Sequence, residues 1–371
     1  MIREINDLEN YIPKNKYSKF VKQYFLWMYK EWTKKYISNI DVEIKFLEVD
    51  NYLIPLSFGN YKDNCYTTSI LWSIKYAKEE LKKEKDFLKR NIFIFFLSIF
   101  YYFFRIFKIE DNIFVFNYFL STILYPKLNE NIITKITTYL KQYYPDKAII
   151  FRSINNNLLG DLKKILKNLN FKEIASRQIF YFDKWDNIFK NKSVKEDFRA
   201  SKKVKLDIKN KDFTDFDIDW IKKCYDELYI KKYSKNNPLF TKKFYKNLLG
   251  VDNFYINLLL KEGKIYWVYW YYIIENQATT PIYWYILKYN KSKKLYRQLT
   301  FYTLQSTLEK IQFLNHSSWA WKFKINRWAK MDIEYLMVYY EHLNFYKKVA
   351  WKFLHFISKK IIKPNLKNNI Y

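Results

Sequence analysis

Residues 253–342 read NFYINLLLKEGKIYWVYWYYIIENQATTPIYWYILKYNKSKKLYRQLTFYTLQSTLEKIQFLNHSSWAWKFKINRWAKMDIEYLMVYYEH, and the punctuation of this stretch sets an order of elements. An apolar run at 253–260 stops at Glu262-Gly263, a second at 264–274 stops at Glu275-Asn276-Gln277, and a third occupies 278–287. Runs rich in Ile, Val, Tyr and Trp joined by such short polar turns predict an antiparallel meander. A basic loop at 288–294 leads into 295–311, where Leu295, Leu299, Tyr302, Leu304 and Leu308 recur close to helical spacing. A short strand at 312–317, a short helix near 321–328 and a long strand at 332–342 finish the unit.

Upstream, residues 214–250 read as two helices broken at Asn236-Asn237-Pro238, with Gly250 as a stop. The N-terminal part of the chain ends as the C-terminal part does. A helix at 131–143, a break at Pro145-Asp146, a strand at 147–153 (KAIIFRS), a helix at 158–169 and a strand at 171–183 (FKEIASRQIFYFD) follow one another. Helix, strand, helix, strand thus occurs twice, which predicts a tandem duplication. The expected architecture is α/β (α+β): two tandem domains, each a mixed, mostly antiparallel sheet flanked by helices. Residues 1–183 and 212–371 form the two halves, and 184–211 is a charged linker; 371 residues suffice for two such cores.

With 66 Lys+Arg against 37 Asp+Glu the formal charge is +29, a field that attracts nucleic acid, anionic lipid or a phosphorylated cofactor. The basic residues are scattered, however, and come with the many Asn, Ile, Tyr and Phe of AT-rich codons. No zinc finger, helix-turn-helix or aromatic RNA-binding signature gathers them. Cys65 and Cys224 stand alone, so no disulfide framework is expected, and no metal site is expected either. The first residues, MIREINDLENYIPKNKY, lack the apolar core of a secretion signal, so a cytoplasmic location is expected. The most apolar run, 91–104 (NIFIFFLSIFYYFF), is short for a span. It reads as a buried or partner-facing helix, a helix lying in a membrane interface, or a true span; the second gives peripheral contact with the inner membrane face.

Four glycines are present where average usage of about 7% calls for several times as many. Twelve tryptophans are present. Trp319 and Trp321 fall in a polar loop of small residues and Trp328 falls where a short helix should end, while Trp267 and Trp270 lie three apart on a strand and point to opposite faces. One reading is a lineage in which the codon UGA means glycine, so that tryptophans such as 267, 270, 284, 319, 321 and 328 are glycine in nature; genuine tryptophans in an aromatic-rich protein are the other. UGG codons at these positions exclude the first.

The segments Phe116-Asn117-Tyr118-Phe119-Leu120-Ser121-Thr122, Ile150-Phe151-Arg152-Ser153-Ile154-Asn155, Lys294-Leu295-Tyr296-Arg297, and Asn315 to Arg327 followed by Glu334-Tyr335, together with the element order, resemble bacterial proteins of two tandem GNAT (N-acetyltransferase-like) halves, including FemAB-like aminoacyltransferases. The resemblance covers most of the chain. It implies a V-shaped notch for the pantetheine arm of an acyl-CoA, acetyl-CoA first, and a loop whose amides hold the pyrophosphate. By position that loop is Lys291, Ser292, Lys293, Lys294, Leu295, Tyr296 and Arg297. It lacks both small residues of the family's Gln/Arg-x-x-Gly-x-Gly/Ala pattern, leaving the lysines and Arg297 to supply charge. Acylating an amine needs a base for the ammonium and an acid for the leaving group. The resemblance points to Glu334 as base, Tyr339 (or Tyr340) as acid, and Asn315 and His316 beside them. Arg152, Ser153, Asn155 and Ser317, at strand ends facing helix starts, are candidates for acceptor or anion contact. The implied function is direct transfer of an acyl group from acyl-CoA to a small-molecule or peptide amine. Transfer from aminoacyl-tRNA, or a non-catalytic membrane-associated binding protein, are the alternatives.

Overall fold

A computed structural model describes residues 2–62, 64–82, 86–203, 206–285 and 295–368. The N-terminal half comprises β1 (Ile2–Glu4), α1 (Lys16–Glu31), β2 (Ile44–Val49), β3 (Tyr52–Phe58), α2 (Ile70–Leu81), α3 (Phe87–Ile106), β4 (Asn112–Val115), α4 (Glu130–Tyr143), β5 (Ala148–Ile154), α5 (Gly160–Asn168) and β6 (Lys172–Asp183). The joining segment is itself folded, into α6 (Lys192–Lys202) and β7 (Asp207–Lys209). Then come α7 (Asp215–Tyr225), α8 (Lys242–Leu248), β8 (Phe254–Lys261), β9 (Lys264–Ile274), β10 (Gln277–Tyr285), α9 (Leu295–Leu308), β11 (Phe313–Asn315), α10 (Trp321–Ile325), β12 (Lys330–Tyr339), α11 (Phe345–Ile357) and α12 (Lys363–Asn368). Wider π-type turns continue α7 over Asp226–Tyr233 and join α11 to α12 over Ser358–Ile362.

The twelve strands among the described residues form one mixed sheet, in the order β1-β2-β3-β4-β5-β12-β6-β11-β10-β9-β8-β7. Each half contributes an antiparallel meander that ends on a parallel pair, β4 with β5 and β10 with β11. The strand beside each parallel pair comes from the other half: β12 lies on β5, and β6 lies on β11. The two exchanged strands then pair with each other along nearly their whole length, Lys330 opposite Tyr181 through Val338 opposite Lys172. A second repeat supports the duplication. At the ends of β5 and β11, Ser153 and Ser317 both take a left-handed backbone, with φ of 57° and 56°.

Helices cover both faces, so the strands read as nearly continuous apolar runs rather than alternating ones. Residues from α1, α4, α5, α7 and α8 pack in the principal core, while residues of α2, α3 and α11 and those of α9 pack in separate clusters. Trp270 points into the principal core and Trp267 into the cluster under α9, so the two indoles do take opposite faces, and both are buried. The Nε1 atoms of Trp270 and Trp284 have no hydrogen-bond partner among the described residues, whereas that of Trp267 donates to the Leu295 carbonyl at 3.2 Å. Trp328 takes φ of 65° just beyond α10, a backbone region that glycine occupies without steric cost.

Glu110, at the foot of β4, accepts from the Ser69 hydroxyl and the Leu71 amide at the start of α2 and is fully buried. Burial, against the pull of those donors, moves its pKa from an ordinary 4.5 to about 7. The unfolded chain releases this proton earlier, so the fold loses about 3 kcal/mol as pH rises from 4.5 to 7. His316, His342 and His355, each held below the ordinary histidine pKa by burial, act in the opposite direction, destabilising the fold as pH falls. The difference between Glu110→Gln and wild type therefore isolates the carboxyl: the variant should gain stability at pH 8 and little at pH 5, read as urea midpoints.

Candidate active site

Glu334 and Arg177 are directly opposed on β12 and β6, so the strand exchange creates the site's central contact. Arg177 Nε donates to Glu334 Oε2 at 2.7 Å, and its Nη2 donates to the Ser121 carbonyl and the Thr122 hydroxyl, each at 2.9 Å. On the neighbouring β5, Arg152 Nη1 donates to the Thr67 carbonyl at 2.8 Å and to Asn117 Oδ1 at 3.1 Å. Arg152 is buried and pairs with no carboxylate among the described residues.

These three side chains line a cavity of about 1090 Å³, whose wall also includes Ser153, His316, Ser317, Tyr66 and Lys324. Lys324, on the short helix α10, is buried and gives its ammonium to the carbonyls of His316 and Ser317, the latter at 3.1 Å. Burial, reinforced by Arg177, drives its pKa well below that of an ordinary lysine. Burial and Lys324 likewise hold the His316 pKa well below its ordinary value, and its Nδ1 has no hydrogen-bond partner among the described residues. Its ring stands edge-on to Tyr283, 4.8 Å between centroids. One carboxylate, paired with Arg177, thus shares the cavity wall with a second guanidinium and a lysine.

The parallel pairing of β10 with β11 covers only Gln277–Thr279 against Phe313–Asn315, and on its other edge the pairing of β10 with β9 shifts register between Thr279 and Ile282, at Pro281. Beyond the paired residues, Thr280, Pro281, Tyr283, Tyr296 and His316 line the cavity.

Other residues singled out from the sequence fall differently. Asn315 is buried behind Glu334, with Nδ2 3.5 Å from Oε1, and its Oδ1 accepts the Ser317 amide. Asn155 caps the turn before α5 through the amides of Leu158 and Leu159 and does not line the cavity. Tyr339 lies at the far end of β12 against Phe171 and His342, away from the cavity wall. Tyr340 packs beside Trp351 in the cluster under α2, α3 and α11. Leu295 is core. Arg297 is engaged by Asp197 at 2.6 Å and Glu196 at 2.8 Å. Lys291, Lys293 and Lys294 lie outside the described residues.

Sequence reasoning missed Arg177, Lys324 and Tyr66. Burial pushes the Tyr66 hydroxyl pKa up, and Arg177 and Arg152 draw it back, so Tyr66 carries a proton at neutral pH within the field of the cluster. No group of three His, Cys, Asp or Glu side chains suited to a metal occurs among the described residues.

Two meanders, each ending on a parallel pair followed by a helix and a strand that crosses to the other half, repeat one order of elements within a single sheet. No protein-family profile matches the chain, and no curated protein sequence does. Among solved structures it is similar to a conserved protein of unknown function from Bacteroides thetaiotaomicron VPI-5482, at 9% identity over 92% of this chain and 100% of the other, with a TM-score of 0.49. It is similar also to FemX (8% identity, 85% and 90% covered, TM-score 0.47). A third is a tandem GNAT protein from the clavulanic acid biosynthesis pathway (7% identity, 80% and 82% covered, TM-score 0.40).

Proposed function

We propose that the chain transfers an acyl group, acetyl in the first instance, from an acyl-CoA to an amine by direct attack without a covalent enzyme intermediate. The observation that carries this reading is the cavity itself, whose wall holds one carboxylate among the described residues, Glu334, together with Arg152, Arg177 and Lys324. The thioester would enter with its carbonyl toward the Lys324 end, where Nζ would donate to the developing oxyanion. Glu334 would take the proton of the attacking ammonium, and Tyr66, in place of Tyr339, would protonate the departing thiolate. His316 and Ser317 would bound the donor side and Arg152 and Ser153 the acceptor side.

Isothermal titration of the full chain with acetyl-CoA tests the donor. A saturable heat that Lys324→Met diminishes is expected, and no heat at millimolar cofactor would sink the reading. A charge of +29 favours aminoacyl-tRNA as the second donor, which retention of charged but not uncharged tRNA on the protein would reveal. No helix among the described residues is long and apolar enough to cross a membrane. The exposed apolar face of α3 fits peripheral attachment at a membrane surface, which completes the proposal for a protein working from the cytoplasmic side.

A further inference from the structure

From the polar cluster the cavity continues, without interruption, into an apolar arm. Its walls are Ala77 of α2, Leu97 and Phe100 of α3, Leu354 and Ile357 of α11, and Ile361 of the π-type turn that follows. A volume of about 1090 Å³ is at or above the upper end of what drug-sized ligands occupy, about 300–1000 Å³. The cavity as a whole is far larger than an acetyl group needs. Where it meets the surface, Phe93, Phe96 and Ile361 are about half exposed. Phe87, Leu88, Ile92, Phe95, Ile99 and Tyr102 are exposed on an adjoining face of α3, which packs on α11 through Phe103 and Phe353. Lys75 and Lys78 of α2 lie over the Tyr101 ring beside that face. Such a contiguous exposed apolar face, bordered by basic side chains, suits an anionic bilayer surface.

We infer that the acceptor is a membrane phospholipid with a primary-amine headgroup, bound with an acyl chain in this arm, its phosphate at Arg152 and its ammonium at Glu334. The inference rests on the acyl-transfer reading and supplies its acceptor. Arg152 has the properties required of the phosphate site, being a buried guanidinium without a carboxylate partner among the described residues, in a cavity whose cations outnumber its anions. The headgroup places an ammonium two carbons beyond the phosphate ester, and the single carboxylate of the wall is the group that would receive it. In the reaction the amine nitrogen forms an amide bond to the thioester carbonyl carbon and the C–S bond breaks. One ammonium proton passes to the thiolate through the cluster and one is released to solvent, so the products are an N-acyl phospholipid, free thiol and a proton.

Dihexanoyl phosphatidylethanolamine, dissolved as monomer, is the probe for the arm, and binding to the full chain is read by native mass spectrometry and titration without any donor. Wild type should bind it at least tenfold more tightly than the phosphatidylcholine analogue, which has no N–H to offer Glu334. Ala77→Trp, which fills the arm, and Leu97→Trp, which fills it from α3, should each weaken binding about tenfold at unchanged melting temperature; either suffices if the other fails to fold. Phe95→Ser with Ile99→Ser, outside the cavity, should leave the monomeric probe bound as before and reduce sedimentation with phosphatidylethanolamine vesicles. Absence of binding by wild type, or full binding by a folded arm-filling variant, overturns the inference. So does stronger competition for the arm by palmitoyl-CoA than by the lipid, which would assign the arm to the donor. Because these measurements omit acetyl-CoA, lipid binding with no response to acetyl-CoA would reject the donor and keep the acceptor, and the converse would reject the acceptor alone.

Discussion

Asp197→Ala is expected to cost about 3–5 kcal/mol, a large share of the roughly 5–15 kcal/mol that holds an ordinary domain folded. Asp197 sits on α6, in the joining segment, and is completely buried. It accepts from Arg327 Nε at 2.5 Å and Nη2 at 2.9 Å, and from Arg297 Nε at 2.6 Å. Arg327, itself only 4% exposed and stacked 3.3 Å from the Phe323 ring centroid, has no other carboxylate among the described residues. Deleting the acid strands that guanidinium in the interior, and the penalty is mostly the stranded charge rather than the lost bonds. Asp197→Asn, which keeps an acceptor oxygen, should cost less, and replacing Asp197 and Arg327 together by apolar residues should cost less than Asp197→Ala alone. The urea midpoint should fall with an unchanged slope. A midpoint within 0.5 kcal/mol of wild type would mean that α6 is not anchored as described.

Glu334→Gln is expected to lower kcat/KM for acyl transfer to an amine-headed phospholipid by about 10²–10⁴-fold, the usual yield of a positioned general base. The amide has the carboxylate's shape and cannot take the proton, so lipid binding should change far less than turnover. Arg177→Met offers an independent reading. With the 2.7 Å partner that orients Glu334 gone, kcat/KM should fall while lipid binding changes far less. A Glu334→Gln rate within threefold of wild type would remove Glu334 from the chemistry.

The meander was legible because its boundaries are local. Glu262-Gly263 and Glu275-Asn276 are turns whatever surrounds them, and β8, β9 and β10 fall within three residues of the runs read from the sequence. The same holds for α4, β5, α5 and β6, whose stops are Pro145 and the turn before Phe171. The site was legible only in part. Glu334 stood out as an acid near the start of a long strand, and Arg152 as a cation at the end of another. Their meeting depends on β12 leaving its own half, and nothing in either apolar run announces which strand it will lie beside. Arg177, inside FKEIASRQIFYFD, looks like an ordinary polar residue until β12 places Glu334 opposite it. Lys324 lies on a five-residue helix in a stretch dense with lysine, and only burial distinguishes it from its solvated neighbours. Residues 184–211 read as a linker because they are charged, yet in α6 the charge is what does the packing, through Asp197.

The exchange of closing strands fixes when this protein can exist during its own synthesis. At the moment β6 leaves the ribosome, the edge of β5 has no neighbour, because β12 lies roughly 150 residues downstream, on the order of 10–30 s of elongation. Through that interval two apolar strands and the Arg152 guanidinium await a partner not yet translated. A chain that stops short of residue 330 therefore lacks more than its own tail: it leaves the earlier half open at β5 and without Glu334. Separately expressed halves, conversely, should be inert and exposed alone, and should complement each other when made together, each supplying the strand the other lacks.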